Sequence, residues 1–590
     1  MFPKIIQTRC SRLTLVNLLA CGVLSLFTAT SHAENADLTL KSPNASSSVI
    51  RLNQVGYRTR ANKVAIVLSQ STSEFEVVGA EGSEVVFRGK LSEPVVWEYS
   101  KESVQQADFS KLDSDGLYRL RVGKKLSSPF SISDAALDSV HEASIKSFYL
   151  NRASIELKTE YAGIFARKLG HPDTDVKVHG SAAGPLRETG SSISAPRGWY
   201  DAGDYGKYTV NSGISTYTML LAFEHFSDEY KTLDLSIPES SNAIPDLLDE
   251  IKWNLDWLES MQDTDGGVYH KLTALNFSNL NTMPDQDVNQ RWVIGKSVTA
   301  ALDFAAVMAM ASRVMSPYDA ELDNVSQRYR KKAIRAYAWA KKHPDAIYKQ
   351  PEDVSTGAYS DDEVSDEFAW AAAELFLLTK DKAYWNDYRQ QELNLSAHLN
   401  WGNVSVLPLV SLVSFGEGLL GQNDYALVKK QLQSSADELL ALHEGSAYNV
   451  AMNDGDFQWG SNSSALNNGL VLYQAYLSTM EEKYQTAALS TLDYVLGTNA
   501  TGYSFVTGYG NLTPMHIHHR PSVADTLSIP VPGFLAGGPH TGRQDKCPYD
   551  GDLPATNYAD IECSYSTNEI AINWNAPLVY ILGAAVSQRD

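Results

Sequence analysis

The stretch AIPDLLDEIKWNLDWLE (residues 243–259) decides the fold class. Its apolar residues Ile244, Leu247, Leu248, Ile251, Leu255 and Leu258 recur at spacings of three and four, which lines one face of a helix for burial. Pro245 falls in the first turn, where its missing N–H costs nothing, and Gly266-Gly267 lie beyond the end. The same period returns near 137–156, 297–315, 328–342, 365–379, 424–443, 465–482 and 484–496. It predicts a mainly α unit of roughly a dozen helices, with almost no strands after residue 134. Long loops interrupt the helices, notably 186–210 and 500–568, and loops of that length on a helical scaffold are where function concentrates. No solenoid-type repeat is present.

Upstream the pattern changes. Between Val49 and Ser133 the runs VIRLNQVGY, KVAIVL, FEVVG, SEVVFRG, LYRLRVG and SPFSIS are short, β-type and separated by Gly, Ser and Asp, the spacing of a small antiparallel sandwich. No carboxylates or histidines cluster there, so no chemistry is assigned to it. Residues 34–47 are polar and Ser-rich, and read as a linker. Residues 1–33 read as a signal peptide: Lys4, Arg9 and Arg12, then the apolar run Leu13–Phe27, then Ser31-His32-Ala33 before a cleavage point at Glu34. Leu18-Leu19-Ala20-Cys21 resembles a lipidation box, but the apolar run continues past Cys21, which favours plain cleavage over anchoring. The expected location is therefore secreted or periplasmic, with no later membrane span.

Composition fits an exported globular protein longer than one comfortable domain: 590 residues, 43% hydrophobic and 20% charged. The net charge of −21 disfavours nucleic acid and anionic membranes as partners and leaves neutral or cationic ligands open. With Cys10 and Cys21 lost with the signal, only Cys547 and Cys563 of the four cysteines remain. In an oxidising compartment they read as a disulfide, worth roughly 3 kcal/mol in the entropic picture; two free buried thiols are the alternative.

Three stretches carry candidate chemistry. In RGWYDAGDYGKY (197–208), Asp201 and Asp204 are separated only by Ala and Gly, so both carboxylates can converge on one small volume, one as base and one holding the water. An Asp-rich turn capping the next helix, or half a calcium site, is the competing reading. In TPMHIHHRP (513–521), three histidines and an arginine suit either sugar hydroxyls or a zinc ion. In YSTNEIAINWNAP (565–577), Glu569 is either a proton donor with its pKa raised by an apolar site or a charge in a helix first turn.

Together these segments resemble glycoside hydrolase family 9, the cellulase family built on an (α/α)6 barrel. WYDAGDYGKY, HHRPS and NEIAINWNAPLVY are similar to its most specific motifs, supported by WNLDWLESMQDTDGGVYHK, DEFAWAAAELFLLT, FQWGSNSS and GGPH in the same order. The part containing NQVGY (53–57) is similar to the immunoglobulin-like module that precedes the barrel in one subgroup. The implied division is 48–134 for an immunoglobulin-like β-sandwich and 135–590 for the barrel. The resemblance implies that Asp204 is the general base, Asp201 helps to hold the water and Glu569 is the general acid. It places His518 and Arg520 along the substrate cleft, and suggests Tyr558, Trp574 and Trp459 as further sugar-contacting residues. Family members invert the anomeric carbon, which requires acid and base carboxyls roughly 6.5–9.5 Å apart.

Two departures concern metals. A zinc site of two Cys and two His precedes the aspartate motif in part of the subgroup, whereas EYAGIFARKLGHPDTDVKVHG here has His171 and His179 but no cysteine, so no Cys-ligated zinc is expected. Asp361, Asp362, Glu363, Asp366 and Glu367 cluster ahead of a helix; the resemblance aligns Asp366 and Glu367 with calcium ligands of some members, and Asp362 joins them as a candidate. A solvated acidic helix start is the alternative. No cofactor is expected for the chemistry, and a monomer is expected. The expected function is inverting endo-hydrolysis of β-1,4-glucan. The rivals are exo-action on cello-oligosaccharides or glucosamine oligomers, a catalytically silent glycan-binding protein, and a zinc enzyme built on the 516–519 histidines.

Overall fold

The computed structural model describes residues 49–81, 84–395 and 398–588; the signal-peptide and linker assignments, Cys21 included, lie outside them. Nine strands come first: β1 (Ile50–Arg51), β2 (Val64–Leu68), β3 (Glu74–Gly79), β4 (Val85–Lys90), β5 (Val95–Val96), β6 (Ser103–Asp108), β7 (Gly116–Val122), β8 (Lys125–Leu126) and β9 (Phe130–Ile132). They form two antiparallel sheets, ordered β1-β2-β6-β5 and β4-β3-β7-β8, with β9 also paired to β7. Alternation sends Tyr118, Leu120 and Val122 of β7 inward to meet Val67, Phe75, Phe109 and Phe130. Tyr57 of NQVGY packs edge-on against Phe109 and Phe130, at 5.3 and 5.8 Å between centroids.

Twelve helices of seven residues or more follow among the described residues: α1 (Asp138–Leu150), α2 (Thr209–His225), α3 (Asp246–Ser260), α4 (Val298–Met315), α5 (Val325–Lys342), α6 (Ser365–Thr379), α7 (Lys382–Tyr388), α8 (Leu407–Phe415), α9 (Gln422–Gly445), α10 (Ser461–Thr479), α11 (Glu482–Asp493) and α12 (Ile572–Val586). The even-numbered helices touch in sequence, and α12 packs back on α2, closing a ring of six. The odd-numbered helices lie outside it. This is the (α/α)6 barrel.

Burial explains the two layers. Every residue of α12 is buried, as is α2 from Thr209 to Phe223, whereas α9 buries only a stripe of Val428, Leu432, Ser435, Ala436 and Leu440. Helices that are apolar all round have no stable place except inside, and striped ones cover them. The segment Val298–Tyr318, which contains α4, is long and apolar enough to cross a membrane by composition, a property the sequence reading did not assign to any later segment. Here it is an inner helix of the ring, with 94% of its apolar window buried.

Strands also occur where almost none were expected. β10 (Val176–Val178), β11 (Ser192–Ile193), β12 (Lys207–Tyr208), β13 (Tyr269–Thr273) and β14 (Trp292–Lys296) build a sheet in the order β11-β10-β14-β13-β12. They escaped sequence reading because they are at most five residues long, and because β13 is buried at every position and shows no alternation.

NQVGY is the hinge point between sandwich and barrel. The Asn53 amide donates to Asp493 at 2.8 Å, and the Gln54 amide oxygen accepts from the backbone of Asn511 and Leu512, at 2.9 Å each. Arg58 donates to the carbonyls of Ala585 and Val586, at 3.1 and 2.6 Å, capping the C-terminal end of α12. Farther along the interface, the Trp97 ring lies 4.3 Å from Tyr448 and also meets Tyr99 and Phe457. Trp97→Ala should cost about 3–5 kcal/mol of unfolding free energy, measured by denaturant titration. A loss below 1 kcal/mol would mean that this aromatic cluster does not hold the two parts together.

Candidate active site

The segment 197–208 runs across the mouth of the ring and is pinned at both ends. Arg197 and Gly198 turn the chain through left-handed conformations, with φ of 68° and 83°. Trp199 then donates from its indole N–H to Glu250, at 2.8 Å, and Glu250 is paired with the fully buried Arg152. Tyr200 is held by His171 Nδ1, at 2.8 Å. The loop closes on itself through Asp201 N–H to the Gly206 carbonyl (3.0 Å), and its Asp201 carbonyl accepts from Ile572 N–H, the first residue of α12 (2.9 Å).

Asp201 and Asp204 do not cap α2, which follows an N-cap at Tyr208 with no side-chain cap bond. Asp201 instead accepts from Asn211 Nδ2 and from the Tyr359 hydroxyl, both at 2.6 Å. Asp204 accepts from Gly206 N–H at 2.9 Å and from the Tyr208 hydroxyl at 3.0 Å. Burial, followed by the charge of Asp204, pushes the Asp201 carboxyl up to about 8.

Glu569 is not in a helix first turn either. It is extended and bridges in parallel to His518, three residues before α12 begins. Its Oε1 accepts from Gly203 N–H at 3.3 Å, so the acid sits against the middle of the aspartate motif. Burial, the charges of Asp204 and Asp201, and only a partial counter-effect from Arg520 hold this carboxyl well above the ordinary glutamate range.

Asp201, Asp204 and Glu569 open onto a cavity of about 390 Å³ walled by Tyr208, Phe277, Tyr359, Trp401, Trp459 and Trp574. Trp459 is 43% exposed, its ring tilted by 34° against that of Tyr565. Flat, half-exposed rings beside paired carboxyls suit the faces of sugar rings.

Two of the five expected substrate contacts, Trp459 and Trp574, line the cavity; His518, Arg520 and Tyr558 do not. Arg520 is buried and grips the Gly203 carbonyl at 2.6 Å and the Ser278 carbonyl at 3.1 and 2.9 Å, tying the aspartate loop to the wall that bears Phe277. His518 donates from Nδ1–H to the Glu562 carbonyl (2.7 Å), and Tyr558 donates to Asn568 (2.5 Å), next to Glu569. His518 remains partly exposed. Tyr359, Trp401, Phe277 and Asn211 were missed: each is a single residue on a separate loop or helix with no motif around it to mark its role.

The 516–519 histidines do not converge. His516 is exposed, and His519 is buried against Ser522 and Phe534. His171 and His179 are likewise engaged separately, by Tyr200 and Asp287 and by Ser181 and Asp353. Among the described residues no three His, Cys, Asp or Glu side chains are grouped closely enough to hold a metal as they stand. At the start of α6 the acidic cluster takes a different form from the one expected. Asp362 is exposed, and Asp303 of α4 joins Asp361, Asp366 and Glu367 in the buried set. Both Glu367 oxygens, Asp361 Oδ2 and Asp303 Oδ1 find no donor. Burial and their mutual charge push Glu367 and Asp303 far up and Asp361 to about 6. Such orphaned hard oxygens fit a divalent cation better than they fit each other. Cys547 and Cys563 are paired, with Cα atoms 6.1 Å apart.

An aromatic-walled cavity with three carboxyls, set on a closed helical ring, defines a glycoside hydrolase. The profile of Glycosyl hydrolase family 9 matches residues 138–582, and that of the Cellulase N-terminal ig-like domain matches residues 45–127. The chain belongs to glycosyl hydrolase family 9. It is 41% identical over 544 residues to a xyloglucan-specific endo-β-1,4-glucanase of Bacteroides ovatus, covering 90% of this chain and 92% of that protein. It is 33% identical to a cellodextrinase of Butyrivibrio fibrisolvens, covering 90% of this chain and 98% of that protein. A solved Bacteroides ovatus GH9 structure superimposes with a TM-score of 0.86 at 40% identity, over 92% of this chain and 99% of that one.

Gly203 is the tightest point of the site: a Cβ there would lie 2.1 Å from the His518 carbonyl and 3.0 Å from Glu569 Oε1. Gly203→Ala should therefore push the acid off its position and lower kcat about 100-fold or more, with the far-UV spectrum unchanged. Near-wild-type turnover would mean that this contact does not set the position of Glu569.

Proposed function

We propose that the protein is an inverting endo-β-1,4-glucanase in which Asp204 deprotonates the attacking water, Asp201 holds that water and Glu569 protonates the leaving oxygen. The carrying observation is the convergence of these three carboxyls on one cavity, with Glu569 and Asp201 both raised and the tyrosine hydroxyls divided between the aspartates. Proton transfer needs one carboxyl that has kept its proton and one free to take another, and environment alone separates the two roles. Single displacement follows: water attacks the anomeric carbon from the aspartate face while the glycosidic oxygen leaves with the proton of Glu569.

The substrate reading rests on the relatives and on the cavity walls. An open, ring-lined cleft suits a β-1,4-glucan backbone, whether plain or branched as in the substrate named for the Bacteroides relative. Exo-action on cello-oligosaccharides is the second reading, supported by likeness to the Butyrivibrio cellodextrinase. Export, a Cys547–Cys563 disulfide and a monomeric state complete the proposal.

Glu569→Gln and Asp204→Asn should each lower kcat about 10²- to 10⁴-fold on polymer, while binding of cello-oligosaccharides persists. Proton NMR of the first turnovers of the wild-type enzyme should show the α-anomer. A β-anomeric initial product, or full activity of either variant, would sink the mechanism. Viscosity loss on carboxymethylcellulose, mixed-linkage glucan and xyloglucan, set against release of glucose from cellohexaose and of glucosamine from chitosan oligomers, separates endo- from exo-action.

We also propose a structural Ca²⁺ held by Asp366 and Glu367 with Asp361 and Asp303, where it would neutralise the buried charges between α4 and α6. At a Ca²⁺ concentration 100-fold above Kd the folded state gains about 2.7 kcal/mol. Ca²⁺ should raise the melting temperature of chelator-treated protein, and Glu367→Gln should abolish the rise; equal melting with and without Ca²⁺ would reject the site.

A further inference from the structure

Behind the aspartate pair lies a cation that the mechanism above does not use. Lys271 is fully buried, on β13, directly across the antiparallel pair from Tyr208 on β12. Its ammonium contacts only uncharged oxygens: the Gly357 carbonyl at 2.7 Å, the Thr356 carbonyl and hydroxyl at 3.3 and 3.1 Å, and the Gln350 side chain at 3.1 Å. A buried ammonium is costly without a counter-charge. The carboxylate that acts on it is Asp204, reached across the Tyr208 ring, whose centroid is 5.8 Å from Nζ.

The segment that Lys271 grips leads to the aspartate pair twice. Gly357 N–H donates to the Tyr208 hydroxyl at 3.1 Å, and that hydroxyl donates to Asp204. Two residues on, the Tyr359 hydroxyl donates to Asp201, and the rings of Tyr208 and Tyr359 pack 4.7 Å apart. The lysine therefore anchors the main chain that orders both hydroxyls, and supplies positive charge on the side of Asp204 away from the substrate cavity.

We infer that Lys271 is a positioning residue for the reaction, a buried ammonium that holds the Thr356–Tyr359 segment so that the Tyr208 and Tyr359 hydroxyls are aimed at the aspartate pair, with its positive charge set across the Tyr208 ring from Asp204. The inference rests on the assignment of Asp204 as base. The titratable and charged groups that face Asp204 are Asp201, Glu569, Tyr208, Tyr359, His518 and Lys271. Burial pulls the His518 imidazole below its ordinary range, which leaves Lys271 as the cation of this set. Around Lys271 itself stand the Tyr348 ring, 5.7 Å away, and His270, which burial holds neutral at about 3. Burial also draws the lysine down to about 7, so it carries its charge through the acidic range in which a carboxylate base titrates.

The test is the pH profile of kcat/KM for Lys271→Met, Lys271→Gln and Lys271→Arg, with melting temperature measured in parallel. Removing a nearby cation raises a carboxylate pKa, so both neutral variants should move the acid limb to higher pH by about one unit or more, and Lys271→Arg should restore it. A neutral variant that folds and loses rate equally at every pH, with its acid limb unmoved, would overturn the inference. So would failure of both neutral variants to fold beside a fully active arginine variant, since the lysine would then be structural only. If Asp204→Asn keeps its activity, the base assignment itself falls; an inactive Asp204→Asn beside an unmoved acid limb rejects the role of Lys271 alone.

Discussion

Three carboxyl groups face one cavity, where like charges brought close repel, and much of the molecule is organised around that constraint. Burial raises Glu569 and Asp201, and each feels the charge of Asp204. What differs among the three is the local set of donors: two strong ones for Asp201, a main-chain N–H and a phenol for Asp204, and a single long backbone contact for Glu569. Fewer donors leave a carboxyl with less reason to surrender its proton. The three carboxyls are thus distinguished by their surroundings, since Asp and Glu differ little in water.

Holding that arrangement requires segments far apart in the chain to meet with sub-ångström tolerance. Gly203 and Glu569, 366 positions apart, touch directly because the first carries no side chain. Arg520 then locks the Gly203 carbonyl to the 278 wall, and the Asp201 carbonyl is fastened to the start of α12. The inner ring of helices is the rigid frame for these contacts, and α12 is the element through which it reaches the acid.

The sandwich adds a second brace without entering the cavity. Its NQVGY segment bonds to α11 and to the loop around residue 511, Arg58 caps α12, and its Trp97–Tyr99 segment packs on Tyr448 and Phe457, just before the loop that carries Trp459. None of its residues lines the cleft. Its contribution reaches the substrate side only through the barrel loops it supports.

The helical periods in the sequence located many of the barrel helices: the 365–379 stretch coincides with α6, and 297–315 with α4 to within a residue, whereas α2, α7 and α8 fall outside the stretches that periodicity marked. Periodicity is local, so it survives in a single chain. The close spacing of Asp201 and Asp204 made the aspartate pair legible for the same reason, and Glu569 stood out only through its company. Strands β10 to β14 were illegible because they are at most five residues long and because β13 is buried at every position. Tertiary structure alone decided that Asp303 rather than Asp362 completes the buried acidic set, and that Arg520 grips the Gly203 carbonyl. It alone brought Tyr359, Trp401 and Phe277 to the cavity and placed Lys271 across from Tyr208. The reason is physical: the amino-acid order carries the chemistry of each group, but burial, neighbouring charge and the partner of each hydrogen bond exist only once distant segments have packed together.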